Sequence, residues 1–295
     1  MPHPITPDAP LRAAMQGVRG LLLDMDGVLT AQGAAVPGAA DAMAELDRRG
    51  LPYLVLTNSS LISRVRLARW TTRLGFAIPA DRFITALSAS VELVRREFAD
   101  RAIFVICSPD ARTELDGLTL LAGEDLDADP SAAAAVILGA SPDELTKANL
   151  DRAFRAVRSG AELIGMHRNP WWLTQAGPTL DAGAFLVGLE YATGRRARIV
   201  GKPSRSFFTA AVDRMAGEAA ARGEVRLRRG DLAMVGDDMA GDVGGARKVG
   251  LRTVFVRTGK HGDAELAAAA SRSRGAYTPD AVAPSIAEVV AALRA

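Results

Sequence analysis

Short apolar runs alternate along this chain with stretches of helical pattern. Helices are predicted over residues 37–50, where Ala39, Met43 and Leu46 share one face, and over residues 60–75. Outside the middle of the chain, strands are predicted at Leu21–Leu23, Tyr53–Leu56, Ile199–Val200, Leu232–Val235 and Thr253–Val256. Because strands that alternate with helices build βαβ units, the pattern predicts an α/β fold around a mostly parallel sheet.

The middle of the chain, residues 100–180, repeats this alternation on its own. The predicted elements there are strands Ala102–Cys107, Ala134–Leu138 and Glu162–Met166, helices Ala111–Gly117 and Asp143–Arg158, and a surface loop at Gly123–Pro130. We therefore expect a doubly wound parallel, Rossmann-like core formed by residues 1–98 and 181–295. Residues 99–180 would form an α/β cap domain inserted into this core.

The composition argues against several classes of function. A formal net charge of +2, from scattered basic residues, gives no electrostatic case for nucleic-acid binding. No apolar stretch reaches the roughly 20 residues that cross a bilayer, and residues 1–10 lack the apolar segment of a signal peptide. Because Cys107 is the single cysteine, no internal disulfide can form, and we expect a reducing, cytoplasmic location.

Polar residues follow four of the predicted core strands. These motifs are Asp24-Met25-Asp26-Gly27, Thr57-Asn58, Gly201-Lys202-Pro203, and Gly236-Asp237-Asp238 with Asp242 close behind. In open α/β sheets, ligands bind outside the carboxyl ends of the strands. We therefore expect the four motifs to converge on one site.

The charged residues of this set suit phosphoryl transfer. Asp24, at the end of an apolar strand, presents a carboxylate nucleophile. Asp26 can act as general acid and base, since close carboxylates raise one another's pKa. Lys202 supplies positive charge for the transferring group, and Asp237 completes a hard oxygen site for Mg²⁺. The predicted reaction is attack by Asp24 on a small phosphorylated substrate, with Mg²⁺ as the cofactor.

Each motif also has an ordinary explanation when it is read alone. Thr57 and Asn58 offer hydroxyl and amide donors to phosphoryl oxygens, but this pair is also typical of a helix cap. Residues 24–27 suit a turn, Lys202 suits a solvated surface, and residues 236–238 suit a loop. Their combination, in order and each at a strand end, favours the phosphate site.

Together the four motifs resemble those of the haloacid-dehalogenase superfamily of phosphohydrolases. The resemblance implies these roles: nucleophile Asp24, acid and base Asp26, phosphate ligand Thr57, third-motif lysine Lys202, metal-binding acid Asp237 and second acid Asp242. It also implies a metal held by the carboxylates of Asp24 and Asp237 and by the backbone carbonyl of Asp26. Asp238 and Asp242 would then hold the metal ligands in place without binding the metal themselves.

The place of the insertion refines the resemblance. A domain between Thr57 and Lys202 is similar to the large α/β cap, of C2 type, of the NagD-like subfamily. Residues 185–194, 200–204 and 236–246 resemble the branch that contains phospholysine phosphohistidine inorganic pyrophosphate phosphatase. The resemblance implies pairing of two copies through the cap, so a homodimer is an expectation.

The cap carries three residues with two open interpretations. His167, Trp171 and Trp172 lie in a predicted loop that follows a cap strand and leads back to the core. The loop either contacts the leaving group of the substrate, with the Trp faces and Arg168 holding a planar or anionic group, or its tryptophans pack the cap or a dimer partner. We name His167 and the two tryptophans as candidate specificity residues.

Two other functions compete with the phosphatase. A haloacid dehalogenase uses an aspartate nucleophile but needs neither an acid at Asp26 nor a metal acid at Asp237. A non-catalytic phosphate-binding regulator has no use for both Asp24 and Asp26. Phosphate release in the presence of Mg²⁺ separates these alternatives.

Overall fold

The computed structural model describes residues 8–174, 177–272 and 277–293, so most of the first ten residues, which lack the pattern of a signal peptide, lie outside it. The strands are, in chain order, β1 (Gly20–Asp24), β2 (Thr30–Ala31), β3 (Ala34–Ala35), β4 (Tyr53–Thr57), β5 (Phe83–Thr85), β6 (Ile103–Ile106), β7 (Ala135–Leu138), β8 (Glu162–Gly165), β9 (Trp171–Thr174), β10 (Gly177–Leu180), β11 (Arg198–Ile199), β12 (Leu232–Gly236), β13 (Arg252–Val256) and β14 (Ala281–Ala283).

The α-helices are α1 (Ala9–Met15), α2 (Ala39–Arg48), α3 (Arg64–Arg73), α4 (Ala86–Glu97), α5 (Pro109–Arg112), α6 (Gly123–Ala128), α7 (Lys147–Arg158), α8 (Ala182–Thr193), α9 (Arg205–Ala221), α10 (Gly245–Arg247), α11 (Asp263–Arg272) and α12 (Ile286–Ala292). None of the helices in the described ranges is long and apolar enough to cross a bilayer.

The chain divides into two compact units. The core unit comprises residues 1–57, 68–84 and 202–295, and the cap unit comprises residues 58–67 and 85–201. Each unit has its own sheet, as the alternation of apolar runs predicts.

The sheet of the core unit has the strand order β14-β13-β12-β1-β4-β5. β1 pairs in parallel with β4 on one side and with β12 on the other, and β13 and β14 continue in parallel beyond β12. The chain therefore winds outward from β1 in one direction and then in the other. This reversal beside β1 is the place where an open α/β sheet binds its ligands.

The sheet of the cap unit has the order β11-β8-β7-β6, with all neighbours parallel. Alternate residues of β6 face opposite sides, so Ile103 and Val105 enter one apolar cluster and Phe104 and Ile106 enter another. Helix α4 covers the first face, and helices α7 and α8 cover the second. The cap is thus a three-layer α/β unit, and β9 and β10 add an antiparallel hairpin.

The expected cap boundaries, at residues 98/99 and 180/181, cut away two helices and strand β11, which the structure assigns to the cap. The strand predicted at Ile199–Val200 is therefore part of the cap sheet and not of the core sheet. Leu87, Val91 and Val94 of α4 are buried in the cluster with Ile103, at about 1.5–3 kcal/mol for each apolar side chain. Leu186 and Leu189 of α8 are buried on the opposite face. The sheet that a helix covers depends on long-range packing, which the periodicity of a single chain does not show.

Two local predictions were wrong. Residues 123–128 form helix α6 and not a loop, because Leu126 is buried and the Asp125 carboxylate accepts the Ala122 N–H, 2.8 Å away, at the start of the helix. Trp171 and Trp172 lie on strand β9, where they pair with Leu180 and Thr179 of β10. They therefore belong to a hairpin and not to an irregular loop.

Candidate active site

Asp24 ends β1 with its carboxylate buried. The preceding apolar residues of β1 are fully covered by the sheet and its helices, and they deliver Asp24 to the strand end at 7% exposure. The Met25 N–H donates to Asp24 Oδ1 over 2.7 Å. Burial raises the pKa of Asp24 to about 6, against the opposing effect of Lys202. The group is therefore mainly a carboxylate at neutral pH.

Asp26 follows in a tight turn that is set by Gly27. The Gly27 N–H donates to the Thr30 carbonyl over 2.6 Å, and the Thr30 hydroxyl donates to Asp26 Oδ1 over 3.0 Å. Asp26 keeps solvent exposure, yet the protein atoms around it desolvate the carboxyl group and raise its pKa. Gly27 has a φ of +86°, and a side chain there would collide with the carboxylate of Asp237. Any residue other than glycine at position 27 would therefore push apart the chain ends that follow β1 and β12.

Lys202 joins two of the carboxylates. Its Nζ lies 2.6 Å from Asp24 Oδ1 and 2.7 Å from Asp242 Oδ1, at 5% exposure. Burial alone would lower the pKa of Lys202, but the two carboxylates raise it above its usual value. Lys202 is therefore a fixed positive charge beside Asp24.

The end of β12 supplies the other acids. Burial and the neighbouring Asp242 raise the pKa of Asp237 to about 6, and burial with Asp24 raises that of Asp242 to about 7. Both oxygens of Asp242 already have donors, since Lys202 binds Oδ1 and the Asp238 N–H donates to Oδ2 over 3.1 Å. Asp242 thus orients Lys202 and the loop after β12.

Asp238 is the N-cap of the π-helical turn 239–244. Its Oδ1 accepts the N–H groups of Ala240 and Gly241, each over 2.9 Å. Burial would raise the pKa of Asp238, but Lys260 outweighs this effect and holds it at about 2. Asp238 therefore fixes the loop after β12 as a charged cap, behind Asp237.

Lys260 is a site residue that the sequence interpretation missed. It lies in the loop after β13, where its N–H donates to Asp237 Oδ2 over 2.7 Å and its Nζ lies 2.6 Å from Asp238 Oδ2. The Gly-bearing turn after a core strand was the available signal. The donor is a backbone N–H, which every residue except proline has, so the residue type at position 260 does not indicate this contact. Only the fold shows that this loop binds Asp237.

The acids fit a cation with hard oxygen ligands. Carboxylate oxygens of Asp24, Asp237 and Asp242 lie within 4.8 Å of one another. Among the described residues these three buried carboxylates have one buried ammonium, Lys202, near them, so the cluster keeps excess negative charge. Oxygen ligands of this kind are those that Mg²⁺ prefers. The donor set therefore suits a divalent cation, with Asp242 already engaged by Lys202.

The predicted phosphate ligands fall on both sides of a unit boundary. Thr57 is the last residue of β4, next to β1, and is buried in the core unit. Asn58 is assigned to the cap unit, where a side chain on Gly201 would meet its Oδ1. The core unit thus brings together Asp24, Asp26, Asp237, Asp242 and Lys202, with Thr57 on the adjacent strand.

The three cap candidates have different surroundings within their unit. His167 is 2% exposed, and its Nε2 lies 3.0 Å from the Ser60 hydroxyl. Trp171 and Trp172, on β9, are 54% and 44% exposed. The tryptophans are available to a ligand or a partner, and the imidazole is enclosed by its own unit.

Comparisons with known proteins identify the family of this chain. Two family models of haloacid dehalogenase-like hydrolases match residues 21–120 and 199–289. Among curated proteins, the human phospholysine phosphohistidine inorganic pyrophosphate phosphatase is 33% identical over 258 residues, which cover 85% of this chain and 87% of that protein.

Solved structures show the same similarity over most of the chain. A p-nitrophenyl phosphatase from Archaeoglobus fulgidus has a TM-score of 0.81 at 25% identity and covers 94% of this chain and 99% of its own. NagD from E. coli K-12 has a TM-score of 0.77 at 25% identity, with coverage of 92% and 98%. These findings confirm the resemblance that the motifs carry. The chain belongs to the haloacid dehalogenase-like hydrolase family and is a phosphohydrolase of its NagD-like group.

Proposed function

We propose that this chain is a Mg²⁺-dependent phosphatase that hydrolyses a small phosphorylated metabolite through a phospho-aspartate on Asp24. The contact between Asp24 and Lys202, 2.6 Å long and buried at the end of β1, carries the proposal. It keeps a carboxylate ionised and fixed in direction, which a nucleophile requires. A phosphate-binding regulator gains nothing from a buried anion in the path of its ligand.

The reaction takes two steps. An oxygen of Asp24 attacks phosphorus, the bond to the leaving oxygen breaks, and Asp26 gives that oxygen a proton. Asp26, now a carboxylate, takes a proton from a water molecule that attacks phosphorus. The bond between phosphorus and Asp24 then breaks, inorganic phosphate leaves, and both aspartates return to their starting forms.

Lys202, Thr57 and Asn58 would bind the phosphoryl oxygens, and Lys202 would also hold Asp24 in line. Mg²⁺, held by the carboxylates of Asp24 and Asp237 and the backbone carbonyl of Asp26, would supply positive charge to the transferring group. Positioning and neutralisation of charge carry most of the catalysis of phosphoryl transfer.

The proposed function is tested by phosphate release from a panel of phosphorylated metabolites that includes pyrophosphate and phosphoamino acids. We expect turnover with Mg²⁺ for at least one member. Tight binding of the panel without any release of phosphate would favour the regulator, and halide release from haloacids would favour the dehalogenase.

Metal dependence gives a direct prediction. We expect activity with Mg²⁺, loss of activity in chelator, and inhibition when Ca²⁺ is added over Mg²⁺. Ca²⁺ accepts about 6–8 oxygen ligands at about 2.3–2.6 Å and can draw both oxygens of Asp24 into its shell. Asp237→Ala should raise the Mg²⁺ concentration needed for activity or abolish activity. It should also remove the rise in melting temperature that Mg²⁺ gives the wild type.

Asp242→Asn serves as the matched control for this experiment. Because Asp242 binds Lys202 Nζ and the Asp238 N–H, its loss should lower turnover with little change in the Mg²⁺ requirement. Full activity in chelator, with no response of melting temperature to Mg²⁺, would contradict the metal site.

The acid role of Asp26 predicts a dependence on the leaving group. Asp26→Asn should lower kcat by about 10²–10⁴-fold for alkyl phosphates, whose leaving oxygen needs a proton. The loss should be smaller for 4-nitrophenyl phosphate, because nitrophenolate leaves without protonation. The measurement is kcat for a series of esters of increasing leaving-group pKa. A loss independent of that pKa would remove Asp26 from the acid role.

The exposed tryptophans of β9 predict an effect on substrate choice. Trp171→Ala and Trp172→Ala should change relative kcat/KM among substrates more than they change hydrolysis of 4-nitrophenyl phosphate. Val225→Ala, an exposed apolar residue of the core unit, is a suitable control. An equal loss for every substrate would make the hairpin a structural element and not a specificity element.

A further inference from the structure

His167 belongs to a buried polar cluster of the cap unit that the proposed reaction does not use. His167 and Ser60 are 2% and 1% exposed, and 3.0 Å separates His167 Nε2 from Ser60 Oγ. The Ala140 N–H also donates to Ser60 Oγ, over 2.9 Å. Buried polar groups are stable only when they are hydrogen-bonded, so the position of each of these three groups depends on the other two.

The hydrogen bonds define the tautomer of the imidazole. The Asn169 N–H donates to His167 Nδ1 over 3.4 Å, so Nδ1 is the acceptor and the proton of the neutral ring lies on Nε2. Nε2–H then donates to Ser60 Oγ. Burial lowers the pKa of His167, with Asp181 opposing this effect, so the ring is held in its neutral form.

Ser60, His167 and Asp181 do not form a nucleophilic triad. In a triad the acid binds the imidazole nitrogen opposite to the one that faces the serine. Here Asp181 Oδ1 lies 3.7 Å from Nε2, the same nitrogen that faces Ser60. Asp181 Oδ1 also accepts the Ala182 N–H, over 2.7 Å, at the start of α8. The geometry leaves Ser60 without a general base.

The cluster instead joins the chain segments that run beside the proposed phosphate ligands. Ser60 lies three residues after Thr57, and His167 follows Met166, whose carbonyl accepts the Gly201 N–H over 2.8 Å. Gly201 in turn precedes Lys202, and any side chain at Gly201 would meet Asn58 Oδ1 and the Met166 carbonyl. Within the cap unit, residues 58–60, 166–167 and 201 are therefore packed together.

We propose that His167 is a positioning residue, which holds Ser60 and so fixes the backbone that carries Asn58 and follows Thr57. It acts through Ser60 and not through contact with the substrate. The inference rests on the proposed function, because it assigns Thr57 and Asn58 to the phosphate. It also predicts a different result from the specificity role that the sequence suggests for His167.

The experiment measures kcat and KM of His167→Ala, His167→Gln and Ser60→Ala with 4-nitrophenyl phosphate and with the best metabolite of the panel. We expect kcat to fall by roughly 10–100-fold, by the same factor for both substrates, in His167→Ala and Ser60→Ala. Inhibition by inorganic phosphate should weaken in both variants. Gln places an amide N–H near the position of Nε2, so His167→Gln should retain more activity than His167→Ala.

The double variant and a control complete the test. If His167 acts through Ser60, the variant with both residues replaced by Ala should lose little more than either single variant. Ser90→Ala removes another buried hydroxyl of the cap unit, one that donates to Ala86 O of its own helix over 2.7 Å, and should leave kcat near wild type.

Three results would overturn the inference. They are a loss that differs between the two substrates, unchanged kcat with only a lower melting temperature, or fully multiplicative losses in the double variant. Failure of the proposed function is separate, since the wild type would then release no phosphate, or Asp24→Asn would release it near the wild-type rate.

Discussion

Replacing Asp24 by Asn is expected to abolish phosphate release from every substrate while the fold remains intact. Asn has the size of Asp and keeps an oxygen for the Met25 N–H, but its amide cannot attack phosphorus. Loss of a nucleophile typically lowers kcat by about four orders of magnitude or more. The measurement is phosphate release at saturating substrate, with circular dichroism and thermal melting on the same sample.

Asp41→Asn is the matched control, because Asp41 is an exposed carboxylate in the first turn of α2. This variant should have wild-type activity. Hydrolysis near the wild-type rate by a verified Asp24→Asn sample would exclude the covalent mechanism. It would leave direct attack by water as the alternative.

Replacing Lys202 by Met should have the largest effect on stability. Its ammonium is the partner of Asp24 and of Asp242, at 2.6 Å and 2.7 Å, and all three groups are buried. Removing one member of a buried ion pair typically costs about 3–5 kcal/mol, because the remaining charge is left uncompensated. We expect a decrease of this size in the free energy of unfolding, measured by urea denaturation in chelator at neutral pH, together with loss of turnover.

A second substitution separates charge from packing. Adding Asp242→Asn to Lys202→Met removes one of the two carboxylates that have lost their ammonium partner, so part of the lost stability should return. Lys248→Met, at an exposed position of the core unit, should change the free energy of unfolding by less than about 0.5 kcal/mol. An equally small change in Lys202→Met would show that the pair contributes little and that Asp24 is not held by it.

The sequence predicts the core of this protein because its signals are local and repeated. Each central strand is an apolar run, and the residue at its carboxyl end is polar, as for Asp24 and Thr57. In parallel strands these ends share one edge of the sheet, so convergence follows from topology alone. The acids that follow β1 and β12 lie close together as this topology requires, whereas Lys202 follows β11 of the cap sheet and reaches Asp24 only through the tertiary fold.

What the sequence does not predict depends on tertiary packing. Helix α7 begins at Lys147, capped by Thr146, and not at Asp143, where the sequence predicts its start. Helix α4 joins the cap because its apolar face matches that sheet, and Lys260 enters the site through a backbone N–H. Neither the packing of α4 on the cap sheet nor the backbone contact of Lys260 can be recognised from a pattern of residues in the sequence.

Trapping the phospho-aspartate would show directly which residue attacks phosphorus. The wild-type enzyme would be mixed with substrate and Mg²⁺, quenched during turnover, reduced with borohydride and cleaved with trypsin. Cleavage after Arg19 and Arg48 releases residues 20–48, which contain both Asp24 and Asp26. Reduction converts an acyl phosphate to homoserine, so mass spectrometry locates the phosphorylated residue. We expect homoserine at position 24 only when substrate has been added. Modification at position 26, or turnover with no modified peptide at any quench time, would contradict attack by Asp24.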